Sequence, residues 1–137
     1  MIHTNELMLG NWVEYATGLH KDKRSIPMKV VALYDDCVYL DFDGNEGDVW
    51  EEEEENLLGI PITEELLEKC GFHYSEVRDI KICGTPYRNS NVLAFLADGN
   101  VVLYTDETKH NITDIHYLHQ LQNAYFMLTK KHLEVNL

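Results

Sequence analysis

The sequence predicts an α+β protein, and three observations carry the prediction. Short apolar–polar alternations bounded by Gly, Asn and Asp recur along residues 9–55 and again along 92–105. A capped two-turn helix, "GIPITEELLEKCGF" at 59–72, separates these groups. A longer helical periodicity then nearly closes the chain, in "TDIHYLHQLQNAYFMLTKKHLEV" at 113–135. Strands followed by a helix, twice over, describe the α+β class. The expected arrangement is a small antiparallel SH3-like β-barrel lobe over residues 1–60. A short capped helix and a three-stranded β-meander packed by a C-terminal helix follow over 61–137, the two parts sharing a core.

The elements follow in order. In "LMLGNWVEYA", Leu9, Asn11, Val13 and Tyr15 alternate with Gly10, Trp12 and Glu14, which reads as a strand entered through a glycine. "TGLHKDKRS" is polar and basic and reads as a loop. Two strands, Met28–Tyr34 and Cys37–Phe42, meet at Asp35 and Asp36, and their Val, Tyr, Leu and Phe suit a half-buried pleat. "DGNEGD" is a turn, and "VWEEEEEN" a fourth strand whose carboxylates guard an edge. Thr63 caps the short helix, Glu64 and Glu65 face its positive end, and Leu66, Leu67 and Cys70 form its apolar face. Gly71 is placed for the left-handed terminus, with Phe72 folding back. "SEVRDIKIC" reads as a strand, "GTPYRNSN" as a loop, and Val92–Ala97 with Val101–Thr105 as a hairpin. The last helix is expected to start at Thr113 or Asp114. Its core stripe is Leu118, Leu121, Tyr125 and Leu128, widened by Ile115 and Phe126 and laid on the meander.

Composition excludes several function classes. The 137 residues are 45% apolar, and no window approaches the ~20 apolar residues of a membrane span. "MIHTNELMLG" reads as no secretory leader. Three cysteines without a CxxC spacing (Cys37, Cys70, Cys83) point to free thiols in a reducing cytoplasm, with Cys70 a small buried hydrophobe. Eleven basic and 24 acidic residues give a net charge of −13. From Val30 to Glu68 there are fourteen Asp and Glu and no Lys or Arg. That balance argues against direct nucleic-acid binding and against an anionic membrane. No GxSxG elbow or glycine-rich phosphate loop is present, so no enzyme and no cofactor is expected.

Two metal sites and two surfaces compete as candidates. Asp41, Asp43, Asn45 and Glu52 fall at positions 1, 3, 5 and 12 of a calcium-loop spacing, but Glu46 stands where that loop needs glycine. The simpler reading is an acidic hairpin turn. His110, His116 and His119, with Asp106 or Asp114, are a conceivable zinc set without an HExxH frame, and solvated or hydrogen-bonded histidines explain them as well. No metal is expected. His116, Gln120, Asn123 and Met127 share a neutral helix face, of the kind covered by another part of the chain, a second copy or a partner. The favoured partner-binding set is His116, His119, Gln120, Gln122 and Asn123. The alternative is an acidic mimic of nucleic acid that blocks a DNA-binding protein, using Asp35, Asp36, Asp41, Asp43, Glu51, Glu52, Glu53, Glu54 and Glu55.

"LxLGNWV", "GIPITEELLEKCGF" and "IHYLHQLQNAYFMLT" occur in that order. Together they resemble a family of small uncharacterised proteins from prophages and other mobile elements of gut bacteria. Its pattern runs from GNWV through IPLTEE and GF to a YVHQLQNLYFALTG helix. The resemblance covers about a third of the chain. It implies a mobile-element origin and no catalytic residues. The positions it singles out here are Gly10, Asn11, Trp12, Pro61, Thr63, Gly71, Phe72, His119, Leu121, Gln122, Asn123 and Phe126. Lys130 replaces the glycine that often follows the final Thr, which predicts a longer helix. The function expected from all of this is a non-enzymatic accessory protein that acts by binding another protein.

Overall fold

β1 (Trp12–Thr17) is the strand on which the N-terminal sheet is built. The computed structural model describes residues 2–78 and 80–137. The chain divides into two compact units, Met1–Ile60 and Pro61–Leu137. In the first, β1 pairs antiparallel with β2 (Lys23–Arg24), β3 (Met28–Leu33) and β6 (Leu57–Leu58). β4 (Cys37–Asp41) joins β3, and β5 (Trp50–Glu53) joins β4 and forms the outer edge. A 3-10 turn at Glu54–Asn56 links β5 to β6. Because β6 returns to the strand that opened the sheet, the sheet curls into a half-barrel. Val13, Met28, Val30, Val38, Leu40 and Leu57 fill the curl together with Ile2 and Leu7.

The expected strands are present, and the segment read as a loop at 17–25 also contributes β2. The GNW start has a structural role. The Gly10 and Val30 amides donate to the carbonyls of Val30 and Asn11 at 2.8 Å, and buried Asn11 accepts from the Met8 amide through its side chain at 2.8 Å. These bonds fasten the entry of β1 to β3.

In the second unit α1 (Glu64–Lys69) is built as its sequence dictates. Thr63 Oγ1 accepts from the Leu66 amide at 3.1 Å. Gly71 takes φ +84°, and the amides of Gly71 and Phe72 donate to Glu68 and Leu67. That pair of bonds is the Schellman closure, which satisfies the last carbonyls of the helix. Leu66, Leu67, Cys70 and Phe72 are buried.

The sheet beside it has five strands, not the three of the expected meander. β7 (His73–Tyr74), β8 (Thr85–Asn89), β9 (Val92–Ala97), β10 (Asn100–Thr105) and β11 (Asn111–Ile115) lie in the order β11-β10-β9-β8-β7. The expected strand at 75–83 is not formed by its described residues, and Asp79 lies outside the described range. "GTPYRNSN", expected as a loop, supplies β8 instead. β7 pairs with β8 at Arg88 and Tyr87, and the Ser75 amide donates to the Pro86 carbonyl at 3.1 Å, so Pro86 sits at the end of that flank's ladder. A missing amide is tolerated there.

The closing helix also starts later than expected. Ile112, Thr113 and Ile115 belong to β11, and Ile115 pairs with Val101. β-Branched residues with a sheet edge available prefer the strand to a helical first turn. α2 is Leu118–Thr129 and packs on β10 and β11. Leu118, Leu121 and Tyr125 are buried as the stripe requires, while Leu128 is half-buried. The longer helix expected at Lys130 does not form. Lys130 itself takes the left-handed conformation at φ +62°, and its amide closes on Phe126 at 2.8 Å.

Two opposite effects follow at the two helix ends. Gly71→Ala is expected to destabilise the protein by about 1 kcal/mol, since alanine is strained at positive φ. Lys130→Gly is expected to stabilise it by up to about 1 kcal/mol for the same reason. Urea unfolding of both variants measures the two signs.

Candidate functional site

The helix face separates into residues with different roles. His119 is fully buried, so it is a core residue and not part of an exposed contact set. The helical period places it one position from Leu118, inside the buried arc, and its ring stacks on Tyr117 with 6.1 Å between centroids. Gln120 is half-buried and its Oε1 accepts from the amides of His116 and Tyr117 at 2.8 and 3.1 Å. It is the reach-back half of a capping box and holds the helix N-terminus. Gln122 and Asn123 are half-buried. His116, Tyr117 and Met127 are the exposed members of this region, and His116 precedes the helix.

The metal candidates are dispersed. Asn45 donates to Asp41 Oδ1 at 2.8 Å and accepts from the Gly47 amide at 3.0 Å, while Asp41 Oδ1 also accepts from the Phe42 amide. The acidic turn therefore holds itself together through side-chain-to-backbone bonds. Among the described residues no group of three or more His, Cys, Asp or Glu side chains is arranged to hold a metal ion.

The acidic set, in contrast, is gathered along one edge. The register of β4 on β5 is Cys37↔Glu53, Val38↔Glu52, Tyr39↔Glu51 and Leu40↔Trp50. Side chains alternate between faces with period two. Val38 and Leu40 point into the core, so Glu52 and Trp50 share the inner side. Glu51 and Glu53 lie outward with Cys37 and Tyr39. Asp36, Glu53, Glu54 and Glu55 line a concavity of about 430 Å³ at the end of this edge, where the Glu54 amide closes on Asp36 O at 3.0 Å. Asp35 and Glu51 are exposed near this end, while Asp43 is exposed in the β4–β5 turn at the other end and Asp41 is half-buried and tied to that turn.

The members of this edge are not equivalent. Glu54 is partly consumed inside the fold, accepting from the Thr4 amide at 3.0 Å and lying 3.9 Å from His3. Glu52 accepts from Trp50 Nε1 and Asn56 Nδ2 at 2.8 and 2.7 Å. Glu53 is crowded by like charge. A hydrogen bond shared with Glu55 and the charge of Glu55 hold its carboxyl above the usual range, aided by partial desolvation, Glu52 and Asp36. Cys37 is pushed up by desolvation and then by Glu51 and Asp36, and Tyr39 by the charge of Glu51 first. Cys37 and Tyr39 both lie on the face that carries Glu51 and Glu53. Cys37 and Tyr39 were not legible as members of this surface, because only the strand register brings them beside Glu53 and Glu51. Cys70 is a different case, since burial alone raises its thiol to about 12, which makes it an inert core residue.

No family model, curated protein or solved structure matches the chain.

The raised Glu53 carboxyl fixes a pH dependence. The folded state holds this proton more tightly than the unfolded chain. Its contribution to stability is therefore full below the ordinary glutamate range and is lost as pH rises through the raised value. Glu53→Gln is expected to melt at higher temperature than the wild type at neutral pH, with the difference vanishing by about pH 4. Gln120→Ala is expected to cost about 1 kcal/mol by removing the cap. Thermal melts across pH and urea titrations measure these effects.

Proposed function

We propose that this chain is a non-enzymatic accessory protein of a phage or mobile element, and that it acts by holding a basic protein surface on the acidic edge of its N-terminal sheet. One observation carries the reading. Asp36, Glu53 and Glu55 are brought together without a paired Lys or Arg among the described residues, closely enough to raise the Glu53 carboxyl. Like charges gathered without a counter-charge destabilise the fold that holds them. A cationic partner relieves that repulsion on binding and is steered toward it over several ångströms. The arrangement is suited to a partner whose own ligand is a phosphate backbone, which is the chemistry of a nucleic-acid mimic.

The N-terminal unit is read as SH3-like on its chain order. A curled sheet closes when β6 returns to β1 through a 3-10 turn. The neutral helix face is the weaker candidate surface, because His119 is in the core and Gln120 is engaged in the cap.

A tagged chain presented to host lysate, and washed with rising salt, tests this reading. The specific partner is expected to leave between about 0.1 and 0.5 M salt, where the screening length falls well below 10 Å. It is also expected to be lost from the triple variant Asp36→Asn, Glu53→Gln, Glu55→Gln, whose three positions are exposed. A partner that survives both high salt and the triple variant, yet is lost from Asn123→Glu, would place the contact on α2 instead.

A further inference from the structure

The inner side of β5 ends in a feature that the acidic edge does not explain. At the open mouth of the half-barrel a pocket of about 230 Å³ is walled by Tyr15, Ile26, Met28, Phe42 and Trp50, with Asp48 at its rim. Its wall is unusually exposed for large apolar side chains. Ile26 is 58%, Trp50 51% and Phe42 38% accessible. Such a patch on an otherwise strongly charged chain is the kind of surface that marks an interaction site.

Trp50 is also held in place. One ring face lies on Tyr15 with centroids 5.8 Å apart and planes within 9°. Its Nε1 donates to Glu52 Oε2 at 2.8 Å, and Glu52 is anchored through its other oxygen by Asn56 Nδ2 at 2.7 Å. The indole has its polar atom satisfied and its orientation fixed while half its surface stays open to solvent. A rigid aromatic of this kind loses little conformational entropy when a partner covers it. Donation from the indole N–H to a carboxylate enriches the ring in electron density, which strengthens its attraction for a cation.

Size and charge narrow the occupant. The cavity is smaller than the ~300–1,000 Å³ usual for small-molecule and cofactor sites, so it suits one side chain. Among the described residues no Lys or Arg lines it, and its one acidic lining residue is Asp48. A flat aromatic platform beside a carboxylate fits a planar guanidinium better than an ammonium. The guanidinium stacks on the ring and its fork of donors meets the carboxylate.

We infer that the mouth of the half-barrel is a docking pocket for an arginine side chain of a protein partner. The guanidinium stacks on the open face of Trp50 and pairs with Asp48, while its alkyl stem lies against Ile26 and Phe42. The residues involved lie on the opposite side of β5 from Glu51 and Glu53, so this site and the acidic edge can fail separately.

The chain has two tryptophans, of which Trp12 is buried beneath Lys29, so its indole N–H is an internal control. The ¹⁵N-labelled protein is titrated with N-acetyl-arginine methylamide, with the lysine analogue and with the neutral citrulline analogue. The Trp50 indole N–H signal is expected to move saturably with the arginine probe while Trp12 stays fixed. Citrulline is expected to bind roughly tenfold more weakly. Asp48→Asn, in an exposed turn, is expected to weaken the arginine probe several-fold, and Trp50→Leu to abolish its binding. The Glu53→Gln, Glu55→Gln variant is expected to bind the probe as the wild type does. Loss in that variant would mean that the edge field alone attracts the probe. An equal response to citrulline, an equal response to lysine, or no saturable shift would each overturn the assignment of a guanidinium site.

Discussion

The pairing of β5 with β4 is the constraint on which both the acidic edge and the mouth of the half-barrel depend. Four residue pairs, from Cys37↔Glu53 to Leu40↔Trp50, sort an acidic strand onto two surfaces. Outward go Glu51 and Glu53, beside Cys37 and Tyr39. Inward go Trp50 and Glu52, over the core residues Val38 and Leu40. A slip of one residue would reverse every one of these placements and drive two glutamates into the apolar curl. Burying an unpaired carboxylate costs several kcal/mol or forces its neutralisation, so the register is strongly specified. The carboxylates that crowd this edge also prevent the strand from pairing in any other register.

The same strand shows how a fold accommodates a destabilising surface. Glu52 and Glu54 are drawn into bonds with Trp50, Asn56 and Thr4, which ties two of the five consecutive carboxylates to the fold. Glu53 and Glu55 are left facing each other, and Glu53 responds by holding its proton more tightly. An edge strand bristling with charge is a common defence against sheet-to-sheet association. Here the defence is concentrated at one end with Asp36, which gives it the form of a concavity.

Local chemistry was the legible part of the sequence. Thr63, Gly71 and Phe72 act as their types and spacing require, because a helix cap is decided within a few residues. The strands of the first unit were legible from alternation, and Glu-rich β5 from its position after a Gly-Asn turn. What failed was decided at a distance. Thr113 and Asp114 look like helix caps, yet Ile115 pairs with Val101, and the strand displaces the cap to Tyr117. Pro86 and Gly84 disguise β8 as a loop, and only the short reach of β7 makes a proline acceptable there. His119 reads as one of several polar helix residues, but the rotation of α2 against β10 and β11 carries it into the core. The mouth of the half-barrel was illegible for the same reason. Tyr15, Ile26, Phe42 and Trp50 are far apart in sequence and meet only through the curl.

Cross-strand nuclear Overhauser effects between β4 and β5 are the most direct test of this arrangement. Backbone contacts joining 37 with 53, 38 with 52, 39 with 51 and 40 with 50 are the expected result. A ladder displaced by one residue would contradict it, because Trp50 would then face outward, Glu51 would enter the core, and neither the acidic concavity nor the aromatic mouth would exist.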